Sequence, residues 1–377
     1  MKAYKGILFK VLKKIRLNHL FYRMLSAIYR SEEVELASYE ESERLLSSVC
    51  PDNGKSCVTA KNSMTTPWQY DLQIIIPAYN VEPYIKKCLD SVFGQQTNYR
   101  FLVVVVNDGS TDATAEILKN YHQTDNLTII HQENRGFSGA RNRALEKISA
   151  EYVTFLDSDD ELPPNAIQLL IDAAKTNDSD LVAGGYECFN DARTFQVVNL
   201  KKQAVVPEYL SIPGFAWGKI YRSHLFQDVH FPEKYWFEDT VVSMVLLQKC
   251  KTISTISEPV YRYRSNPGGI SATSVSKPKS LDSYYITRRL LDDRRKMQIE
   301  DNESVFAKIL LRQIYINFKR IITIGRDDVD RAVFALSVKM VEDEFDNRPT
   351  DLGRYEDLYE ALDNRDFSRY KLFCLLQ

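Results

Sequence analysis

The sequence predicts an α/β domain on a doubly wound sheet, set between a helical N-terminal extension and a helical C-terminal region. Three observations predict this. From Asp71 onward, short apolar, β-branched runs alternate with helical patterns, the arrangement of a sheet covered on both faces. Before that, residues 1–30 carry eight Lys or Arg and no acid. From Leu281 to Gln377 there are only two glycines, Gly325 and Gly353, and one proline, Pro349, and helical periodicity dominates. The expected divisions are 1–70, 71–280 and 281–377.

The elements follow in order. In the N-terminal segment, Ile7, Leu8, Val11, Leu12 and Ile15 form one apolar stripe, and Leu20, Phe21, Met24, Leu25 and Ile28 another. Such a basic amphipathic helix can lie on an anionic membrane surface, pack on the protein's own body, or pair two subunits in a homodimer. An acidic stretch (Glu32 to Glu43) and a polar linker from Pro51 to Pro67 come next. Leu72–Ile76, Phe101–Val106, Leu127–Ile130, Tyr152–Leu156 and Leu181–Val182 read as strands, with Val81–Phe93 and Asp112–Tyr121 as helices between them. Val305–Ile324 and Val329–Phe345 read as C-terminal helices, with Gly325 a C-cap between them.

Composition narrows the function. Of 377 residues, 44% are hydrophobic and 27% charged, and 49 basic residues face 51 acidic ones. That balance argues against a nucleic-acid binder, which carries a basic surplus. No apolar run approaches the ~20 residues of a bilayer-spanning helix, and charges interrupt any secretory core near the start, so the expected location is cytoplasmic, with peripheral membrane contact through the N-terminal helix. Six scattered cysteines without a CxxC pair point to reduced thiols. The five histidines show no metal-ligand spacing.

Ligands of such sheets bind beyond the carboxyl ends of the strands, so the polar residues there are the candidates. Pro77-Ala78-Tyr79-Asn80 follows the first strand, Asn107-Asp108-Gly109-Ser110-Thr111-Asp112 the second, and Asp157-Ser158-Asp159-Asp160 the strand at Tyr152–Leu156. Side chains two apart on extended backbone share a side, so Asp157 and Asp159 can offer hard oxygens to Mg²⁺ or Mn²⁺, although Asp and Ser are also ordinary turn residues. The Asp108 cluster can equally cap the following helix. Further on, Glu238-Asp239 precedes the apolar run Val241–Leu247, where an acidic N-cap is the structural alternative to a catalytic carboxylate.

Taken together, these clusters resemble glycosyltransferase family 2, the nucleotide-sugar transferases of GT-A fold. The strings that carry the resemblance are IIIPAYNVEPYIKKCLDSVFGQ, VVVNDGSTDAT, ENRGFSGARNRAL, YVTFLDSDD, AWGKIYRSHLF and FPEKYWFED, in that order, across about residues 71–270. The resemblance implies an inverting transfer from a nucleotide-sugar, expected to be a UDP-sugar, to a glycan, lipid-linked oligosaccharide, wall polymer or glycoprotein acceptor in bacterial cell-surface polysaccharide synthesis. It implies that Pro77, Tyr79 and Asp108 line the base pocket, Asp157 approaches the ribose, Asp159 binds the metal and Arg141 lies near the nucleotide or diphosphate. Asp239 is then the general base, with Glu238 as support. Trp217 stands on the acceptor side, where a core tryptophan is the alternative, and Lys219 senses acceptor or diphosphate. Arg262 or Arg264 contacts the donor phosphates from a loop in which Gly269 stands where a serine is often found. Two alternatives remain at this point: a sugar-1-phosphate nucleotidyltransferase, disfavoured because Ala78–Pro83 holds no glycine, and a non-catalytic scaffold of a glycan-assembly complex.

Overall fold

The computed structural model describes residues 22, 37–59, 62–121, 123–206, 211–266, 269, 273–299 and 302–377. The basic segment 1–30 therefore lies, but for Tyr22, outside the described residues, as do positions 267, 268 and 270–272 of the presumed phosphate loop. The chain divides into two compact units.

The first unit comprises Met1–Asp52, Thr273–Arg288 and Asp301–Gln377. Its described part is helical: Tyr39–Val49, Glu303–Ile321, Asp327–Glu344, Glu356–Asp363 and Phe367–Leu376. Tyr39–Val49 opens on a capping box, with the Ser38 side chain and Glu41 satisfying each other's backbone. Gly325, at φ 78°, is the left-handed residue that ends the turn after Glu303–Ile321. The helices close over Phe318, Phe334 and Tyr370, all buried.

The second unit, Asn53–Ala272 with Arg289–Glu300, holds the sheets. Its strands are β1 (Ser63–Met64), β2 (Tyr70–Ala78), β3 (Phe101–Asn107), β4 (Leu127–His131), β5 (Lys147–Ile148), β6 (Ala150–Phe155), β7 (Leu181–Phe189), β8 (Thr194–Val198), β9 (Lys219–Arg222) and β10 (Ile253–Arg264). The main sheet runs β10-β7-β9-β6-β2-β3-β4, with β8 paired to β7. β4, β3, β2 and β6 are parallel, β9 is antiparallel to both β6 and β7, and β10 is parallel to β7. Ile74, Ile75, Ile76, Val103 and Val105 are fully buried in the central strands, as continuous apolar strands require when helices cover both faces.

Two expectations need correction. The stretch from Pro51 to Pro67 is not a free linker, and the boundary lies near Asn53 rather than residue 70. Its backbone is pinned to the sheet unit: β1 pairs with β5, Asn62 donates to the Phe226 carbonyl at 2.6 Å, and buried Asp293 accepts from the Cys57 amide at 2.8 Å. The last of these also explains why Arg289–Glu300 belongs to this unit rather than to the C-terminal helices. The predicted helix at Val241–Leu247 is a π-turn, Val242–Leu246, running into Leu247–Lys249. Such bulges concentrate at functional positions, and apolar periodicity alone does not reveal them.

Candidate active site

The site gathers at the carboxyl ends of β2, β3 and β6. Pro77 is buried in β2 and Tyr79, just past its end, is 48% exposed. Asn80, at φ 50°, ties this end to the next strand's loop by accepting from the Thr111 amide at 2.8 Å. Helix capping falls to Asp112, which accepts from the Thr114 amide. Asp108 has another role. Its Oδ1 accepts from Gln132 Nε2 at 2.6 Å and from the Arg135 amide at 2.9 Å, while its buried Oδ2 has no donor, a costly condition for a carboxylate oxygen. Gly109 makes the turn possible at φ 75°, where a Cβ would stand 3.0 Å from the Asn134 amide.

The turn after β6 is braced by the end of β10. The Tyr261 hydroxyl accepts from the Asp157 amide at 3.1 Å and donates to Asp160 Oδ2 at 2.6 Å. The Arg264 amide donates to Asp160 Oδ1 at 2.6 Å. Asp159 accepts from Asn266 at 3.0 Å. Burial, with the charge of Asp157, raises the Asp159 carboxyl, and burial with Asp157 and Asp159 raises Asp160 strongly. These crowded hard oxygens fit a divalent cation, which would relieve their repulsion. Among the described residues no three His, Cys, Asp or Glu groups form a cation cage, so Asp159 would share such an ion with a diphosphate, as Mg²⁺ commonly does.

Arg141 joins the two halves of the site. It lies on the helix Gly136–Leu145, 4% exposed, donates to Asp157 Oδ1 at 2.7 Å, and is hydrogen-bonded to Glu238. Burial opposes its charge, but Asp157 and Glu238 overcome this and hold its pKa above the ordinary value. Arg141 is thus committed to two carboxylates rather than open to a diphosphate. Glu238 is pushed up to about 7 by burial, with Asp239 adding to the rise and Arg141 opposing it. Since Glu238 points to Arg141, it is not an N-cap. The backbone leading into the pair is strained: Lys234 and Phe237 stand at φ 69° and 64°, a region that costs a bulky side chain about 1–3 kcal/mol.

Lys219 opens β9 after Gly218, whose φ of 70° makes the turn. Its ammonium is buried, donates to the carbonyls of Phe215 at 2.8 Å and Trp217 at 3.2 Å, and is lowered to about 7 by burial, with Asp239 acting the other way. Trp217, 8% exposed, stacks on Phe215 and Tyr261, so its ring is packed within the protein. Arg262 pairs with Glu161 and, at 3.5 Å, with Glu187. Arg264 pairs with Glu161 at 2.8 Å and Asp191 at 2.7 Å. Both arginines brace the loop after β6 with their charges occupied. Sequence reasoning missed Tyr261, Asp160 and Phe215; the Asp160 signal was present as the last acid of the Asp157–Asp160 string.

Residues 73–230 match the family described as Glycosyl transferase family 2. The chain is 31% identical over 247 residues to the "Putative glycosyltransferase EpsH" of Bacillus subtilis (strain 168), a match covering 60% of this chain and 71% of EpsH. The chain belongs to glycosyl transferase family 2. That membership removes the nucleotidyltransferase alternative. The chain is also 33% identical over 224 residues to GlyA of Streptococcus pneumoniae serotype 4, covering 55% of this chain and 32% of GlyA, so it spans about a third of that relative's length. The fold is similar to that of S. aureus TarS in complex with UDP-GlcNAc, with a TM-score of 0.64 and 23% identity over 81% of this chain and 90% of the TarS chain. The mixed sheet flanked by helices is therefore of GT-A type. Among the described residues, no helix is long and apolar enough to cross a membrane.

Proposed function

We propose that this family 2 glycosyltransferase takes a UDP-sugar donor and passes the sugar, with inversion, to a hydroxyl of a cell-surface glycan, lipid-linked oligosaccharide, wall polymer or glycoprotein. The observation that carries this reading is the Asp157–Arg141–Glu238 bridge, which brings the donor-side turn and the Glu-Asp pair under one guanidinium. The unmet Oδ2 of Asp108 supports a base pocket with Pro77 and Tyr79, since a uracil ring offers an N–H donor to such an acceptor.

In this reading Asp239 takes the proton from the acceptor hydroxyl as that oxygen attacks the anomeric carbon, and the nucleoside diphosphate leaves from the opposite face. Glu238, raised and held by Arg141, keeps the neighbouring carboxylate oriented. Lys219 faces Asp239 across the turn and fixes the backbone of Phe215 and Trp217. Asp157 binds the ribose, and Asp159 would hold Mn²⁺ or Mg²⁺, which supplies charge neutralisation on a departing diphosphate.

The test is nucleotide release from a panel of UDP-, GDP- and TDP-sugars, with Mn²⁺ or with EDTA. Release from one UDP-sugar should depend on metal and be lost in Asp159→Ala. Asp239→Asn should slow transfer by about 10²–10⁴-fold while UDP still binds. No release from any donor, together with no UDP binding, overturns the reading.

A further inference from the structure

The aromatic side chains around the Trp-Gly-Lys turn form a ladder. Phe215 stacks on Trp217 with ring centroids 4.5 Å apart and planes 8° from parallel, and Trp217 stacks on Tyr261 at 4.3 Å and 13°. Tyr186 meets Phe215 and Trp217 edge-on, at 6.2 and 5.2 Å. Exposure rises along the ladder, from 1% at Tyr261 through 8% at Trp217 to 37% at Phe215.

Both ends of the ladder are tied to the reaction centre. At the inner end the Tyr261 hydroxyl bonds to the Asp157 amide and Asp160. At the outer end the Phe215 carbonyl accepts from Lys219 Nζ at 2.8 Å, an ammonium whose charge Asp239 favours. A Cβ on the neighbouring Gly214 would stand 2.7 Å from Ser243 Oγ, on the π-turn that follows the Glu-Asp pair. The backbone that carries the exposed ring is thus tied to the lysine and to the turn next to the Glu-Asp pair. One face of the phenyl ring is stacked on Trp217 and part of the ring is open to water. It suits a ligand with a flat apolar face and a polar rim, such as the C–H face of a pyranose ring.

We propose that Phe215 is the platform on which the acceptor sugar stacks, with Trp217 and Tyr261 bracing it from behind. This rests on the reading of Asp239 as general base. The acceptor is then a glycan presenting a pyranose with an apolar face, rather than an open polyol-phosphate chain, which has no ring to stack.

The experiment measures UDP release from each UDP-sugar of the panel above while methyl glycosides of glucose, N-acetylglucosamine, galactose and mannose are added. At least one glycoside should raise release saturably. Phe215→Ala should raise the KM for that glycoside about ten-fold or more, well beyond any change in donor KM. Phe215→Tyr should stay near the wild-type KM, which separates stacking from a general disturbance of the turn. An unchanged glycoside KM in Phe215→Ala, or wild-type release that responds to no glycoside, overturns the proposal. Stimulated release that survives Asp239→Asn overturns the general-base reading instead.

Discussion

Arg141→Met removes the one cation that the structure gives to both Asp157 and Glu238. Methionine keeps the length and apolar stem of the side chain, so the contacts of Arg141 with Phe137 and Phe231, at 5.7 and 5.2 Å from their ring centroids, lose only their cationic part. The carboxylates lose more. Breaking a buried ion pair costs about 3–5 kcal/mol because the remaining charge is stranded. The Asp157 side chain is 30% exposed and regains some water, while Glu238 at 11%, no longer held down by Arg141, takes up a proton, so both favour the lower end, about 3 kcal/mol. For a unit of this size that lowers the melting temperature by about 6–12 °C. Thermal melts at pH 7 read the loss, and titration with UDP should show weaker binding because Asp157 has lost its anchor. Arg141→Lys should fall between the two, since an ammonium cannot span both carboxylates as the planar fork does. The double variant Arg141→Met/Glu238→Gln should melt higher than Arg141→Met alone at alkaline pH, where the unpartnered Glu238 carboxyl is charged. A single variant that melts within about 2 °C of wild type, or costs that simply add in the double variant, would refute the assignment of Arg141 as the clamp between the two motifs.

Tyr261→Phe keeps the stack on Trp217 but takes the donor from buried Asp160 Oδ2, so urea unfolding should report a loss of about 1–3 kcal/mol together with weaker UDP binding; a loss within error would show that the hydroxyl does not brace the turn. Glu238→Gln tests the raised carboxyl. A carboxyl whose folded value is pushed from 4.5 to about 7 binds its proton more tightly when folded, so its stabilisation is complete below about pH 4.5 and is lost as pH rises through 7. The difference in unfolding free energy between wild type and Glu238→Gln should therefore fall by about 3 kcal/mol from pH 4.5 to pH 7, and a flat difference would contradict the raised value.

The central strands were legible because their apolar runs are long, β-branched and bounded by polar turns; Phe101–Val106 was expected and Phe101–Asn107 is observed. The helix expected from Val81 begins only at Ile85, since the four residues before it form a turn fixed by contacts to Thr114 and Asp112 that lie some thirty positions away in the chain. The domain boundary was misplaced for a similar reason. A polar segment such as Pro51–Pro67 looks the same in sequence whether it is loose or pinned by Asn62 and Asp293. At the site, motif order brought forward Asp108, Asp157, Asp159 and Asp239. It could not show that Arg141, Arg262 and Arg264 are spent on carboxylates, because ion-pair partners far apart in sequence leave no periodic trace. Which rung of the ladder around Trp217 faces water depends on β10 arriving behind it, which periodicity does not show.

The Arg141 arrangement also bears on why the site has this form. Two acidic side chains and one buried guanidinium are a poor way to stabilise a core; similar volumes of apolar side chain would often do better by about 1–4 kcal/mol. The same region holds Phe237 in a left-handed conformation, a buried ammonium at Lys219 and a carboxylate oxygen of Asp108 without a donor. Each departs from local stability, and together they lie along one edge of the sheet while the remaining central strands are packed with valine and isoleucine. Four departures of different kinds gathered around one group of acidic residues point to a requirement there other than stability. The arrangement suits a transferase that must hold several carboxylates near a diphosphate without letting them repel the turn apart. In the proposed reading Arg141 neutralises Asp157 and Glu238, which leaves Asp159 and Asp239 for the donor and the acceptor.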